Sequence, residues 1–200
     1  MADTGAPWNI PFVEPTDLVR DYPAADEAQA LAVAAGLSAA GGLVAVKSAI
    51  FTGTQTASVT ASGNLAVTDL EITHALADAS NKLIISAFLG AAATSEGTGL
   101  VGIAVHDGTD LIAIGDTDGD RTRVTAGGLV GPDIFSLTVT MPSVTFVHTP
   151  NTTDSKTYTV RAINIRADTR TLFINRSEED ANTAFRPRAV SSLVIQEVKV

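Results

Sequence analysis

The stretch His148–Val200 decides the fold that the sequence predicts. It reads HTPNTTDS over 148–155, KTYTVRAINIR over 156–166, TLFINRS over 171–177 and SSLVIQEVKV over 191–200. A Pro-Asn-Thr turn leads into three runs rich in β-branched and aromatic residues, which is the pattern of consecutive antiparallel strands. The last run indicates that the chain near Val200 is held in a sheet. The stretch therefore predicts a β domain closed by its final strand.

Short runs of the same kind, separated by turn residues, continue upstream to residue 43. The expected strands are Leu43–Phe51, Gln55–Thr60, Leu65–Leu76, Leu83–Leu89, Leu100–His106, Leu111–Ile114 and Ile134–Val147, the last broken at Met141-Pro142. Leu83–Leu89 is almost continuously apolar, as a strand buried on both faces would be. In Leu65–Leu76 the alternation places Val67 on the face opposite Leu70 and Ile72. About ten such runs predict a mainly β chain in which residues 43–200 form an antiparallel, jelly-roll-like β-sandwich.

Residues 1–22 form an arm of a different character. Pro7, Pro11 and Pro15 exclude a helix or a central strand and favour an extended path. The arm nevertheless carries large apolar side chains, among them Trp8, Ile10, Phe12 and Tyr22. Such a set is not typical of a disordered tail. Two alternatives stay open: these residues pack on the chain's own helix, or they anchor the arm to another protein.

Residues 23–42 are expected to contain one short helix that ends at Gly41-Gly42. Pro23 suits its first turn, and Asp26 and Glu27 suit the positive end of its dipole. Small and apolar residues recur at heptad-like steps, at Ala24, Ala28, Leu31 and Ala35. Because a helix of this length is marginal alone, it needs a partner surface. A three-helix bundle formed by three chains is the preferred interpretation, and packing on the chain's own sheet is the alternative.

The composition limits the partners that the chain can have. It has 22 acidic and 13 basic residues, a net charge of −9, and no cysteine. We therefore expect no nucleic-acid partner, no disulfide and no thiolate metal site. The segment Ala28–Val46 is uncharged over a membrane-spanning length, but it is mostly Ala and Gly, so no membrane span is expected. The first residues lack the pattern of a signal peptide.

Motif searches predict a protein that is not an enzyme. The sequence contains no nucleophile elbow, His-Glu-x-x-His or phosphate-binding loop, so no catalytic residue and no cofactor is assigned. Asp116, Asp118 and Asp120 alternate as calcium ligands do at the start of an oxygen-ligand loop. The set falls short of the six or more oxygens that calcium prefers, and a polar hairpin turn is the favoured interpretation. His74, His106 and His148 are expected at or near strand ends as ordinary polar residues.

Several segments resemble a domain of tailed-bacteriophage structural proteins of the tail-fibre or minor-tail type. They are TPNTTDSKTYTV (149–160), LFINRS (172–177), SSLVIQEV (191–198), ADASNKLIISAFLG (77–90) and IAIGDTDGDRTR (112–123). The opening PWNIPFVEPTDLVRDYP (7–23) resembles the start of several phage minor tail proteins and favours docking of the arm.

The resemblance implies a virion location and a homotrimer anchored through its arm to other virion proteins. The β domain would then be presented outward, where host attachment through a surface glycan or protein is a further role. The alternatives are a capsid decoration or head-fibre protein and a carbohydrate-binding module. The last would need exposed aromatic platforms, and the β domain offers only Tyr158 and a few Phe residues.

Overall fold

The chain divides into two compact units, one containing Met1–Gly42 with Val200 and the other Leu43–Lys199. The computed structural model describes residues 2–3, 11–12, 31, 42–95, 101–128, 139–182, 184, 186 and 188–200. In the first unit, strand β1 (Ala2–Asp3) pairs antiparallel with β2 (Pro11–Phe12), and Leu31 is helical and 64% exposed. The predicted anchor residue Phe12 thus lies on β2. The other anchor and helix residues lie outside the described residues, namely Trp8, Ile10, Tyr22, Ala24, Ala28 and Ala35.

The described part of the second unit consists of twelve strands. They are β3 (Leu43–Phe51), β4 (Gln55–Val59), β5 (Asn64–His74), β6 (Lys82–Phe88), β7 (Ala92–Thr94), β8 (Val101–His106), β9 (Leu111–Ile112), β10 (Ala126–Gly128), β11 (Ser143–His148), β12 (Lys156–Asn164), β13 (Arg170–Ile174) and β14 (Ser191–Val198). All their pairings are antiparallel. The predicted mainly β, antiparallel class is confirmed. Of the predicted strand Ile134–Val147, residues 134–138 lie outside the described residues. In its described part, Thr140 forms an isolated bridge with Ala92, and β11 begins after Met141-Pro142.

Two sheets face each other across a single apolar core. Sheet I has the order β11-β6-β14-β3, and sheet II has the order β10-β8-β12-β5 with β9 also paired to β8. Sheet III, β4-β13-β7, packs against the same core. The core contains Leu83, Ile85, Leu193 and Ile195 from sheet I, Leu70, Ile72, Val105 and Val160 from sheet II, and Leu172 and Ile174 from sheet III. The architecture is therefore a β-sandwich with a third, smaller sheet.

Strand β5 contains an irregularity that brings both of its apolar sets into the core. The alternation of the sequence predicts Val67 on the face opposite Leu70 and Ile72. In the structure the register with β12 shifts inside this strand, and Asp69 there has a φ of 59°. Val67, Leu70 and Ile72 are all buried in the same cluster. The prediction of opposite faces was wrong because a bulge reverses the alternation beyond it.

Strand β6 is buried on one face only. Leu83 and Ile85 are fully buried, whereas Ile84 is half-buried and Phe88 is exposed. The prediction of burial on both faces was therefore wrong. Its apolar outer side chains are not covered by any described part of the second unit, and they become part of the site discussed below.

The buried Asn164 at the end of β12 ties sheet II to the neighbouring loops. The Asn164 amide donates to the carbonyls of Val59, Thr60 and Asp168, and its oxygen accepts the N–H of Arg166. Buried backbone carbonyls need such partners because an unpaired one costs free energy.

No helix within the described residues is both long and apolar enough to cross a bilayer.

Candidate functional site

The outer face of sheet I is a solvent-facing surface of mixed apolar and polar side chains that is almost free of charge. We define it by side chains that point away from the core: Leu43, Val46, Ser48 and Ile50 on β3; Ser192, Val194, Gln196 and Val198 on β14; Lys82, Ile84, Ser86 and Phe88 on β6; and Ser143, Thr145 and Val147 on β11. Val46 is 53% exposed, Ile50 60% and Val147 61%. Lys82 is its only charged residue, although the chain carries 35 charged side chains.

The size of this face follows from strand geometry. Four strands spaced by about 4.8 Å, and about 20 Å of strand length, give a projected area of about 400 Å². About half of the side chains on this face are apolar, and exposed apolar patches on a folded chain are often functional. Strand β3 adds an open edge, because among the described residues it pairs only with β14. Long open edges favour pairing with another chain.

A second candidate site lies where three loops meet at one end of the sandwich, here named the loop end. These are the turn 61–63 between β4 and β5, the loop 113–125 after β9 and the loop 165–167 after β12. The hydroxyls of Ser62 and Thr122 are hydrogen-bonded at 2.7 Å and join the first two loops. Ser62 also has a φ of 53°, which is uncommon for a residue with a side chain and marks a constrained position.

Two adjoining clefts of about 380 and 370 Å³ open at the loop end. Both are lined by Ser62, Asp120, Arg121 and Thr122. The first is completed by Leu111, Ile114, Gly119, Arg123 and Ile163, and the second by Val124, Ile165, Arg166 and Ala167. These volumes are within the range of small-ligand sites. Each cleft combines guanidinium and hydroxyl groups with an apolar wall.

None of the three cleft arginines has a buried carboxylate partner among the described residues. Arg123 donates from Nε to the carbonyl of Gly115 at 2.6 Å and has no carboxylate partner among the described residues. Arg121 pairs with Asp118 at 2.7 Å in an ion pair that is largely exposed to solvent. Arg166 lies 3.7 Å from Asp168, whose carboxylate binds Arg170 through two shorter contacts.

The opposite end of the sandwich, here named the polar end, is built around a buried carboxylate. Glu197 is 1% exposed and accepts hydrogen bonds from His74 Nε2 at 2.8 Å, the Ala77 N–H at 2.8 Å and the Asn81 amide at 2.6 Å. Burial raises the pKa of Glu197, but the hydrogen bonds from Asn81, Ala77 and His74 outweigh it, so the net pKa is lowered. The group therefore stays ionised and fastens the start of the β5–β6 loop to β14.

Asp107 and Lys156 form a second charged pair at the polar end. Asp107 also accepts the N–H groups of Thr109 and Asp110, which closes the turn between β8 and β9. Although burial raises the pKa of Asp107, the hydrogen bond from Lys156 and those two N–H groups lower it to about 2. Burial raises the pKa of the neighbouring Tyr158 to about 12, and the charge of Asp107 adds to the effect.

His74, His106 and His148 end β5, β8 and β11, as predicted. All three lie at the polar end, since β12 pairs with both β5 and β8 and its first residue, Lys156, faces His74. Burial lowers the pKa of His148, so its imidazole favours the neutral form, and its ring packs edge-on against Tyr158. Within the described ranges no three His, Asp or Glu side chains are grouped so that they could hold a metal ion.

The predicted calcium ligands Asp116, Asp118 and Asp120 are exposed on the loop 113–125. Asp118 pairs with Arg121, and Gly119 has a φ of 54°, which fits the favoured interpretation of a polar turn. Sequence reasoning missed the cleft arginines and Ser62 as a group. Arg121 and Arg123 stand in the quoted segment IAIGDTDGDRTR, but only the fold brings them to Ser62 and Arg166.

No protein-family model matches the sequence, and no curated protein matches it.

Proposed function

We propose that this chain is a non-enzymatic structural component of a tailed-phage virion, of the minor-tail or fibre type, that assembles as a homotrimer. The N-terminal arm docks on a neighbouring virion protein through residues such as Trp8, Ile10, Phe12 and Tyr22. The helix with Ala24, Ala28, Leu31 and Ala35 bundles with its copies, and the sandwich is presented outward. The segment resemblances given above support the phage assignment.

The outer face of sheet I is the observation that carries the proposal of assembly. The exposed apolar side chains of this face are costly to leave in water. Its projected area of about 400 Å² is about half of the roughly 800 Å² that each partner buries in a standard interface. The predicted helix bundle would contribute the remainder.

The occupant that we assign to this face is another copy of the same chain. Because each copy carries a net charge of −9, copies repel one another except where their contact is almost free of charge. The outer face has one charged residue, Lys82, and it has polar hydroxyls between its Val and Ile side chains. The edge of β3, which has no strand partner among the described residues, lies beside this face and offers backbone hydrogen bonds to a neighbour.

The oligomeric state of the purified chain tests this proposal. Sedimentation equilibrium at micromolar concentration is expected to give three times the chain mass of 20.6 kDa. Val46→Glu introduces a charge into the face and is expected to lower the association constant at least tenfold. Thr56→Glu is the matched control, since Thr56 is also an exposed β-branched strand residue but lies on β4 of sheet III.

A stable wild-type monomer at micromolar concentration contradicts the homotrimer. If Val46→Glu and Thr56→Glu both remain trimeric, the outer face is covered by something other than a copy, such as the N-terminal segment. The position of the chain on the particle is tested separately, by electron microscopy with a gold-labelled antibody. Labelling of tails supports a tail protein, and labelling of heads supports a capsid decoration or head fibre.

A further inference from the structure

We infer that the paired clefts of the loop end bind an acidic saccharide, a sugar unit that carries a carboxylate among its hydroxyls. This inference names a ligand for the proposed attachment role and rests on that function for its biological meaning. The binding itself follows from the side chains that line the clefts.

Charge is the first argument. The chain as a whole has 22 acidic and 13 basic residues, yet the cleft linings contain three arginines and one aspartate. Arginine presents a planar fork that matches a carboxylate in a bidentate contact. Arg123 is held by its bond to Gly115 while its terminal nitrogens have no carboxylate partner among the described residues. The exposed Arg121–Asp118 pair is weak and can be exchanged for a ligand carboxylate.

The second argument is the mixture of polar groups. An acidic peptide or a nucleic acid carries closely spaced anionic groups, some of which would be repelled by the carboxylate of Asp120 in both linings. A sugar supplies hydroxyl donors that this carboxylate can accept. The hydroxyls of Ser62 and Thr122 both donate and accept, and they stand at the junction of the two clefts.

The third argument is shape. The first cleft has an apolar wall that includes Ile114 and Ile163, against which the C–H face of a sugar ring can pack. Because the two clefts adjoin and share residues, they suit two successive units of an oligosaccharide. This mode of binding does not need the aromatic platforms that the β domain lacks.

Topology places the clefts at the end where an anchored domain would meet a ligand. The sandwich begins at the polar end, since Leu43 pairs with Val198, next to Glu197. The loop end lies beyond Asn64, at the other end of β5, about 30 Å away for an 11-residue strand. If the chain is anchored through the residues before Leu43, the loop end is the far end of the domain.

Isothermal titration calorimetry of the purified full chain tests the inference, with trigalacturonic acid as the probe. Binding to the wild type is expected, and maltotriose, a neutral trisaccharide, is expected to bind at least tenfold more weakly. Arg121→Gln and Arg123→Gln are each expected to weaken binding about tenfold through loss of one charge-assisted contact. Arg188→Gln removes an exposed arginine distant in sequence from the clefts and is expected to leave the affinity within twofold.

Arg121 is 83% exposed, so its replacement is expected to leave the fold intact, which a melting curve checks. The inference is overturned if the wild type does not bind trigalacturonic acid, if maltotriose binds equally well, or if Arg188→Gln weakens binding as much as the cleft variants. If triglutamate binds as tightly as trigalacturonic acid, the clefts recognise negative charge alone, and the proposal of a saccharide ligand is overturned. These outcomes are independent of particle incorporation, so failure of the virion role leaves them unchanged.

Discussion

At the scale of single residues, Asn175 makes the most demanding set of contacts. It is fully buried, has a φ of 60°, and donates from its amide to the carbonyls of Phe51 and Gly53 while accepting the hydroxyl of Ser191. Asn175→Ala leaves these groups unpaired, and we expect it to lower the free energy of unfolding by about 2–4 kcal/mol. Urea denaturation measures the change.

Asn151→Ala is the matched control for this substitution. Asn151 has a similar φ of 55° but is exposed. Any strain of Ala at positive φ is thus common to both variants, and we expect the control to lose no more than about 1 kcal/mol. Equal losses in the two variants would show that backbone conformation, rather than the hydrogen bonds, explains the effect.

The lowered pKa of Asp107 predicts how the stability of the fold depends on pH in acid. Its pKa is lowered to about 2 in the folded chain, so the ionised group stabilises the fold above pH 4. This contribution is lost as the pH falls from about 4 to about 2. We expect Asp107→Asn to be less stable than the wild type at pH 7, with the difference shrinking across that window in thermal melts.

The exposed Asp154 provides the comparison for Asp107. Asp154→Asn is expected to follow the wild-type acid profile within experimental error. Both variants retain His148 and Glu197, so their contributions to the acid dependence cancel in the comparison. A profile for Asp107→Asn that parallels the wild type from pH 2 to pH 7 contradicts the assigned role.

These residue-scale features were largely hidden from sequence reasoning. Asn175 belongs to the quoted segment LFINRS, but its three side-chain partners come from residues 16 to 124 positions away. Asn164 and Glu197 likewise act through partners that only the folded sheets bring near. A polar residue inside an apolar strand pattern gives no sign of which distant groups will satisfy it.

At the scale of elements, Gly90, which follows β6, packs so closely against the residues before β14 that no side chain fits there. A Cβ placed there would lie 2.2 Å from the carbonyl oxygen of Val190 and 2.9 Å from Cβ of Ala189. Because the nearest neighbour is backbone, it cannot move away without shifting the entry to β14. We expect Gly90→Ala to destabilise the fold by about 1–3 kcal/mol, measured by urea denaturation.

Gly115 supplies the control at this scale. A Cβ at Gly115 has its nearest neighbour, the carbonyl oxygen of Val124, at 3.9 Å, an ordinary contact distance. Gly115→Ala is expected to change the free energy of unfolding by less than about 0.5 kcal/mol. If both alanine variants are equally stable, the joint at Gly90 is looser than its packing implies.

The sequence patterns predicted where the strands lie better than they predicted the irregularities and the burial of those strands. The runs that became β3, β4, β6 and β8 were located correctly from their β-branched residues. The bulge in β5 was missed because alternation is a local signal, whereas a bulge is set by the partner strand. The exposure of the outer side chains of β6 was missed because an apolar pattern cannot tell a second packed layer from an open face.

At the scale of the whole molecule, the second unit is expected to fold without the residues before it. Every described member of the core lies between Phe51 and Ile195. A shortened chain that starts at Leu43 should therefore show one cooperative thermal transition. Trp8, the only tryptophan, is absent from it, so circular dichroism or calorimetry must follow the melt. Failure of this chain to fold would show that the first unit completes the core.

The proposed anchor role of the arm is tested by incorporation of a double variant into particles. We expect the double variant Trp8→Ala, Phe12→Ala to fold normally and to be missing from assembled particles. Each large apolar side chain contributes roughly 1.5–3 kcal/mol when it is buried, so losing both would release a docked arm. Double-variant protein present in particles at the wild-type level would exclude anchoring by these side chains.

The sandwich class was predictable at this scale because the number of short strands and the turns between them are sequence properties. The grouping of strands into facing sheets was not, since β14 pairs with β3 and β6, more than 100 positions away. The loop-end clefts depend on that grouping, because Ser62, Arg123 and Arg166 come from three separate connections.

The central place of β14 in sheet I has a consequence for synthesis on the ribosome. Among the described residues, β3 has no other strand partner, and β6 and β11 form only a lone pair until Ser191–Val198 has left the exit tunnel. The nascent chain thus holds the edges of β3 open until β14 emerges. Sheet I therefore cannot be completed before β14 is available, and until then the open edges of β3 and β6 are able to pair with strands of another copy.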